Sequence, residues 1–195
     1  YFTRLECRWK VKHLFIKRNF TEQLRLRTQC KFCDQPIVLE CLKDGTLLVG
    51  GLDISYAKED DSVAYAALCV FRLNVTKGAS EVDLVDELCC PVTVDVPYVN
   101  SFLAFREVPA YQTVVNEFLT TRPCHLHPHV FMVDGNGTLH PRAFGSACHL
   151  GVVLQRPTFG VAKDLAYLPP PPPATTFNKP DVSVANMRQK LRALP

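Results

Sequence analysis

The sequence has little net charge, no long hydrophobic run and no second cysteine pair at CxxC-like spacing, and each absence argues against a class of protein. Lys and Arg number 22 against 19 Asp and Glu, giving a formal net charge of +3. This value falls short of the strongly basic balance of a dedicated nucleic-acid-binding domain. No apolar run is long enough to span a bilayer, and no N-terminal segment reads as a secretory signal. We therefore expect an intracellular chain with no membrane partner.

Nine cysteines are scattered along the chain, an odd number. Cys30 and Cys33 form a CxxC pair, but a zinc site would need a second pair at comparable spacing. The adjacent Cys89 and Cys90 do not supply one, so zinc binding is weakly indicated. Because Cys69 and Cys148 lie within apolar runs, we expect reduced and mostly buried thiols.

The charges are unevenly distributed, although their sum is small. Residues 1–31 are rich in Arg and Lys, whereas 59–61 and 81–87 are acidic. Such a gradient suits a polyanion held over a cation site, but an ordinary solvated surface is the commoner explanation of charge runs. We divide the chain into a basic N-terminal segment at 1–44, a central domain at 45–166 and a proline-rich tail at 167–195.

The first half of the central domain predicts an antiparallel meander of three strands. The runs TLLVGGLDISY, SVAYAALCVFRL and EVDLVDELCCPVTVDVP are apolar, β-branched and partly alternating. The pair Asp60 and Asp61 is typical of a hairpin turn between the first two strands. Before them, FTEQLRLRTQC predicts a short helix with Thr21 as its N-cap.

The second half predicts alternating helices and strands. SFLAFREVPAYQTVVNEFL has helical spacing with Pro109 near its start, and FGSACHLGVVL predicts another helix. HVFMVD and TFGVA predict short strands buried in the sheet. The order β-β-β-α-β-α-β is typical of an α/β fold with a ribonuclease H-like mixed sheet flanked by helices. Five consecutive prolines, Pro169–Pro173, then predict an extended tail, with a short basic helix in 182–195.

Three acids are the candidate chemical residues, although each has an ordinary explanation when taken alone. Asp53 can face solvent from a half-exposed strand, Glu107 suits the first turn of a helix, and Asp134 suits a turn before Gly-Asn-Gly. Together they come from the first strand, the first helix after the meander and the end of the fourth strand. Those positions meet at one edge of such a sheet, where carboxylates hold hard cations that assist phosphodiester hydrolysis.

Four segments resemble the endonuclease V family in their order and spacing: GGLDISY, PYVNSFLAFREVPAY, HVFMVDGNGTLHPRAFGSACHLG and RPTFGVAKDL. The resemblance covers roughly residues 45–165, and FLAFREVP and VDGNG look closer to eukaryotic members. It implies that Asp53, Glu107 and Asp134 are catalytic and bind Mg²⁺, for which Mn²⁺ substitutes. It also implies a location in the cytoplasm or nucleus, including the nucleolus.

The resemblance also implies residues that contact the substrate. Tyr98 matches the wedge inserted at the lesion, and Lys163 would reach a phosphate. Gly135, Asn136 and Gly137 match the loop that approaches the hypoxanthine base through backbone atoms. Without the family motif, a surface turn at Tyr98 and a solvated lysine at Lys163 would be the simpler explanations.

Two histidines lie in the same motifs. His140 lies near the catalytic loop in the family, but it is equally well explained as a structural histidine bonded to a carbonyl group. His149 is better explained as a packed helix residue than as a ligand.

The reaction implied by the resemblance is hydrolysis of the second phosphodiester on the 3′ side of inosine, leaving a 3′-hydroxyl and a 5′-phosphate. Bacterial members act on deaminated DNA, and eukaryotic members prefer inosine in single-stranded RNA. Contacts to the 2′-hydroxyl would make that distinction.

The sequence departs from the family after GVAK. The family continues with further strands and a helix that carries a fourth metal-site residue, His or Asp. Here the chain runs into prolines, and Asp181 is a poor replacement for that residue. We therefore expect a truncated or divergent chain, which also lacks an initial Met. One alternative is an inosine-binding protein with impaired cleavage, and another is recruitment of an aromatic-groove domain by the polyproline run.

Overall fold

A five-stranded mixed sheet forms the centre of the protein in a computed structural model that describes residues 4–33, 35–60, 62–76 and 79–163. The strand order is β3-β2-β1-β4-β5. The first three strands are antiparallel, whereas β4 runs parallel to both β1 and β5. The predicted meander followed by parallel strands is therefore confirmed. The strands are β1 Thr46–Tyr56, β2 Val63–Thr76, β3 Ala79–Thr93, β4 Val130–Asp134 and β5 Thr158–Val161.

Four helices and a 3-10 turn accompany the sheet: α1 Arg4–Arg27, α2 Pro36–Lys43, α3 Ala104–Thr121, α4 Ser146–Leu154 and η1 Cys124–Leu126. The helices α3 and α4 were predicted, whereas α2 was not. The prediction for α1 was wrong in its start, because the helix extends well before Thr21. Thr21 is no N-cap, since its hydroxyl donates to the carbonyl of Lys17 one turn earlier, at 3.4 Å.

The main core lies between the sheet and the helices α3 and α4. Alternation along β1 turns Leu48 and Leu52 into this core, where Phe118 and Phe131 are fully buried. Each such side chain contributes about 2–3 kcal/mol by leaving water. The residues of opposite parity form a smaller cluster with α2 on the other face: Leu47, Val49 and Val130.

The strand β5 differs from its prediction as a buried strand. It is the edge of the sheet, and Phe159 and Val161 are 42% and 52% exposed. Within the described ranges, no element pairs with its outer side, so its short apolar run does not imply burial. The expectation of mostly buried cysteines was also wrong. The eight cysteines whose side chains the structure describes are free thiols, of which Cys90 is buried and the others are half-buried or exposed.

Several sequence predictions fall on residues outside the described ranges. They are the Asp61 half of the hairpin turn, the extended proline run, the basic C-terminal helix and Asp181. The Asp60 half is confirmed, because the N–H of Val63 donates to its carbonyl at 3.1 Å. No helix in the described part of the chain is both long and apolar enough to cross a membrane.

Candidate functional site

Two of the three candidate acids lie side by side at the carboxyl ends of neighbouring parallel strands. Leu52 of β1 pairs with Val133 of β4, and Asp53 and Asp134 each follow that pair by one residue. Both acids are exposed. The parallel pairing of β1 with β4 therefore places two carboxylates at one end of the sheet.

Glu107 reaches the same end from the first turn of α3. Burial and, to a smaller extent, the negative charges of Asp134 and Asp53 raise the pKa of this carboxyl to about 7. Tyr56 opposes the shift by donating a hydrogen bond to Glu107 Oε1 at 3.5 Å. Asp134 and Asp53 are therefore near enough to Glu107 for their charges to alter its protonation.

Two residues that the sequence analysis did not single out support Glu107. The buried guanidinium of Arg106 lies 4.6 Å from the ring centre of Tyr56, and its Nη1 donates to the carbonyl of Val96 at 2.5 Å. Arg106 thus connects the end of the meander to Tyr56 and to the start of α3. A charged residue directly before Glu107 was visible in the sequence. The contact between Tyr56 and Glu107, 51 residues apart, was not.

The residues present fit a hard divalent cation in their chemistry, because all three are carboxylates. A cation there would also remove the repulsion that raises the pKa of Glu107. In their present arrangement, no three His, Cys, Asp or Glu side chains within the described ranges are gathered closely enough to hold a metal ion. Asp53 Oδ1 instead accepts the N–H of Ile54 at 2.8 Å. Metal binding at this end of the sheet remains a prediction.

The loop 135–137 after β4 is packed closely between the backbone at the start of α4 and the backbone of β5. Gly135 has a φ of +138°, a value that favours glycine, and its N–H donates to the carbonyl of Val161 at 2.9 Å. A Cβ on Gly145 would overlap the carbonyl oxygen of Asn136, and a Cβ on Gly160 would overlap that of Gly135. The glycines before α4 and in β5 are therefore needed for the loop to fit.

Hydrogen bonds from the start of α4 fix the same loop. The N–H of Gly145 donates to the carbonyl of Gly137 at 2.9 Å, and the N–H of Ala147 donates to that of Asn136 at 3.2 Å. These bonds satisfy N–H groups that the first turn of a helix leaves without partners. The backbone of 135–137 is thus held rigidly against α4.

A cavity of about 710 Å³ opens beside this loop. Asn136, Gly137, Cys148 and Phe159 contribute to its wall, with Lys163 among the lining residues. Its size and its mixture of polar and apolar groups fall within the range of small-ligand sites. Two predicted substrate contacts, the glycine loop and Lys163, therefore border one cavity.

Tyr98 lies outside this cavity. It follows β3 in a loop, and its side chain is 64% exposed. An exposed aromatic ring is available to stack against a base. The predicted wedge role is not tested by this arrangement and remains a prediction.

His140 has the bonds of a structural histidine. Its Nε2 donates to the carbonyl of Ser101 at 3.1 Å, and its Nδ1 accepts the N–H of Arg142 at 3.2 Å. Burial lowers its pKa, and the charge of Arg142 lowers it further. Both ring nitrogens are used within the protein, so a direct contact with substrate, which remains a prediction, would require one bond to break.

His149 packs as expected for a helix residue. It lies 4.9 Å from the ring of Phe105 and 5.6 Å from that of Phe144. Burial lowers its pKa to about 4, so the ring is neutral at physiological pH. Among the described side chains, its Nδ1 is the buried polar atom without a hydrogen-bond partner.

The family model for endonuclease V matches residues 33–191 of the chain. The chain belongs to the endonuclease V family. Endonuclease V from Homo sapiens is 45% identical over 121 residues, which are 62% of this chain and 40% of that protein. Endonuclease V from Nostoc punctiforme is 32% identical over 135 residues, 69% of this chain and 55% of that protein.

Solved structures of the family share the fold. The catalytic domain of human endonuclease V has a TM-score of 0.71 at 33% identity, covering 92% of this chain and 67% of that one. Ciona intestinalis endonuclease V, in complex with a DNA containing an inosine followed by a ribo-adenosine, has a TM-score of 0.70 at 30% identity, covering 91% of this chain and 66% of that one. The mixed sheet is thus the ribonuclease H-like sheet of endonuclease V.

The matches show how much of a relative this chain covers and how far the family extends into its C-terminal segment. The chain spans about 40% of the human relative that it matches. The family model extends beyond residue 166 to 191, so it includes most of the proline-rich segment that we separated as a divergent tail. The predicted boundary between the domain and the tail remains a prediction.

Proposed function

We propose that the protein is a metal-dependent endonuclease directed at inosine-containing nucleic acid. The observation that supports the proposal is the placement of Asp53, Glu107 and Asp134 at one end of the sheet, where Glu107 is buried enough for its pKa to rise and is within reach of the charges of Asp134 and Asp53. The proposed reaction is hydrolysis of the second phosphodiester on the 3′ side of inosine, leaving a 3′-hydroxyl and a 5′-phosphate.

In the proposed mechanism, the carboxylates of Asp53, Glu107 and Asp134 would hold Mg²⁺, for which Mn²⁺ would substitute. When bound, the cation supplies charge stabilisation to the phosphodiester and lowers the pKa of water. Tyr56 and Arg106 keep Glu107 directed at the site, since one bonds its carboxylate and the other packs beneath that tyrosine. Lys163, exposed after β5, contributes a positive charge near the phosphate backbone.

Inosine recognition is proposed for the loop 135–137 and the cavity beside it. Inosine lacks the exocyclic amine of guanine, so a closely fitting wall can exclude guanine sterically. The glycine contacts fix the backbone of the loop, which gives such a wall the necessary rigidity. Extraction of the base costs a few kcal/mol and costs least in single strands. Tyr98 would fill the gap that the extracted base leaves.

The proposed substrate is single-stranded RNA, with deaminated DNA as the alternative. Support comes from the Ciona enzyme, whose bound DNA carries a ribo-adenosine after the inosine. A ribose at that position would offer a 2′-hydroxyl to the protein.

Cleavage of a single-inosine RNA in Mg²⁺ tests the proposal. Asp53→Asn should reduce the rate by about a thousandfold, because it removes a charged ligand from the site. Asp83→Asn is the matched control, since Asp83 is exposed on β3, far from the carboxyl ends of β1 and β4 along the sheet. Equal rates for the wild type and Asp53→Asn would overturn the proposal.

A second candidate function is inosine binding without cleavage. One observation favours it: within the described ranges, no three His, Cys, Asp or Glu side chains are gathered closely enough to hold a metal ion. Binding measured in Ca²⁺ and cleavage measured in Mg²⁺ separate the candidates. Selective binding of inosine RNA with no product in Mg²⁺ would establish the binding function and exclude the nuclease.

A further inference from the structure

Gln23 is an unusual residue on α1, because its amide is almost fully buried, with 1% of its surface exposed. Its Nε2 donates to the carbonyl of Phe144 at 2.7 Å and to that of Ser101 at 3.4 Å. Its Oε1 accepts the Nε of Arg142 at 2.5 Å. One side chain thus links α1 to two loops that are far apart in sequence.

The carbonyl of Ser101 is the point where these bonds meet. It accepts from Arg142 Nη2 at 2.5 Å and from His140 Nε2 at 3.1 Å, in addition to Gln23. Ser101 itself has a φ of +65°, a left-handed conformation that is unfavourable for a residue other than glycine. The three hydrogen bonds to the Ser101 carbonyl stabilise this conformation and offset its cost.

Arg142 owes its position to Gln23 as well as to packing. Its guanidinium lies 4.3 Å from the ring centre of Phe102 and 5.6 Å from that of Phe20 on α1. The fork geometry of guanidinium lets it bond Gln23 with one nitrogen and Ser101 with another. Removal of the Gln23 acceptor would leave a partly buried donor without its partner and free the guanidinium to turn.

The loop held in this way is the one that carries Tyr98. The N–H of Phe102 donates to the carbonyl of Val99 at 2.9 Å, and both of these side chains are buried. The turn 99–102 is therefore anchored, and the exposed ring of Tyr98 projects from the residue immediately before it.

We propose that Gln23 and Arg142 form a positioning pair that fixes the Tyr98 loop for insertion at inosine. This inference rests on the proposed function, and it gives α1 a role in substrate recognition without contact to substrate. An ordered loop binds with a smaller loss of conformational entropy. The pair therefore increases the preference for inosine over an ordinary base, through Tyr98.

Hydrogen exchange of the free 195-residue chain tests the structural half of the inference. Gln23→Met keeps the side-chain volume and removes the polar atoms, and the matched control is Gln112→Met at a half-buried position on α3. We expect amides in 98–102 to exchange about tenfold faster in Gln23→Met alone, because the opening of the loop costs less. Unchanged exchange in 98–102 would overturn the proposal. Arg142→Lys, which keeps the charge but loses the planar fork that bonds Gln23 and Ser101 at once, replaces Gln23→Met if that variant does not fold, and the same faster exchange is expected.

Binding in Ca²⁺ tests the functional half, with a single-inosine RNA and the same RNA carrying adenosine instead. Gln23→Met should reduce the ratio of the two affinities by about tenfold, the effect of losing one or two such hydrogen bonds. In a Tyr98→Ala background the same substitution should have no further effect on the ratio. An unchanged ratio, or an equal loss in both backgrounds, would overturn the positioning role. A wild type that does not distinguish the RNAs overturns the proposed function and this role with it, while the exchange experiment still decides whether Gln23 orders the loop.

Discussion

Two polar regions of the molecule differ in whether their groups are satisfied within the protein. One is the carboxylate end of the sheet, and the other is the Ser101 hub, which consists of Gln23, Ser101, His140 and Arg142. At the hub, the polar groups of Gln23, His140 and Arg142 bond one another or the Ser101 carbonyl. At the carboxylate end, burial raises the pKa of Glu107, and the like charges of Asp134 and Asp53 add to the rise. The comparison suggests that the hub is complete within the protein, whereas the carboxylate end is suited to a positive charge from outside.

Loss of a carboxylate should give the largest effect on activity. Asp134→Asn is expected to reduce cleavage of inosine RNA by about a thousandfold, because a cation would lose a charged ligand at the reacting phosphate. Binding of the same RNA in Ca²⁺ should change far less, since the base is held elsewhere. A parallel loss of binding and cleavage would show that Asp134 holds the loop and not the cation.

A side chain at Gly145, which packs against the loop 135–137, should give the largest effect on stability. Gly145→Ala is expected to lower the free energy of unfolding by about 2–3 kcal/mol, because its Cβ would overlap the Asn136 carbonyl. Gly137→Ala is the matched control, since its Cβ would meet Ala147 and Cys148 at an ordinary 3.9 Å. Denaturant unfolding measures both variants, and equal losses would contradict the role of close packing at Gly145.

The raised pKa of Glu107 predicts a smaller, pH-dependent effect on stability. Its value of about 7 in the folded protein exceeds the ordinary value of 4.5, so its favourable contribution is present below pH 4.5 and is lost as the pH rises through 7. Glu107→Gln removes this loss. After allowance for solvent screening, the variant should gain about 1–2 kcal/mol over the wild type at pH 8, and nothing at pH 4. Unfolding curves at the two pH values, without divalent cations, provide the measurement. A constant difference would contradict the electrostatic account.

A divalent cation should reverse that last difference. Mg²⁺ bound by the folded protein stabilises it in proportion to its occupancy, by about 2.7 kcal/mol at a hundred times Kd. We expect Mg²⁺ to raise the Tm of the wild type at pH 8 more than that of Glu107→Gln. The hub variant Gln23→Met should respond to Mg²⁺ as the wild type does. An equal response of all three proteins would place the cation elsewhere.

The elements that could be predicted from the sequence are those whose pattern is local. Alternation along β1, the apolar run of β4 and the helical spacing of α3 each fix a structure without reference to distant residues. The start of α1 could not be predicted in this way, because contacts such as Phe15 with Phe102 hold the helix against the rest of the protein. The edge position of β5 depends on whether another strand pairs with its outer side. The four residues of β5 do not reveal this.

In the candidate site, too, features that depend on local sequence were predictable, and contacts between distant segments were not. The placement of Asp53 in β1, Asp134 at the end of β4 and Glu107 in the first turn of α3 was predictable from local patterns, whereas their joint role in one site remains a prediction. The support given by Tyr56 and the internal bonds of His140 were not predictable, because they join segments tens of residues apart. Motifs thus locate the acids, and only packing shows which polar groups are already satisfied.

Cleavage of two 5′-labelled RNAs that differ in one base tests the central claim most directly. One carries a single inosine and the other adenosine at that position, and both are incubated with the wild-type chain in Mg²⁺. The account predicts one product, from the inosine RNA alone, ending in a 3′-hydroxyl after the nucleotide that follows inosine. No cleavage of either RNA, or equal cleavage of both, would contradict it.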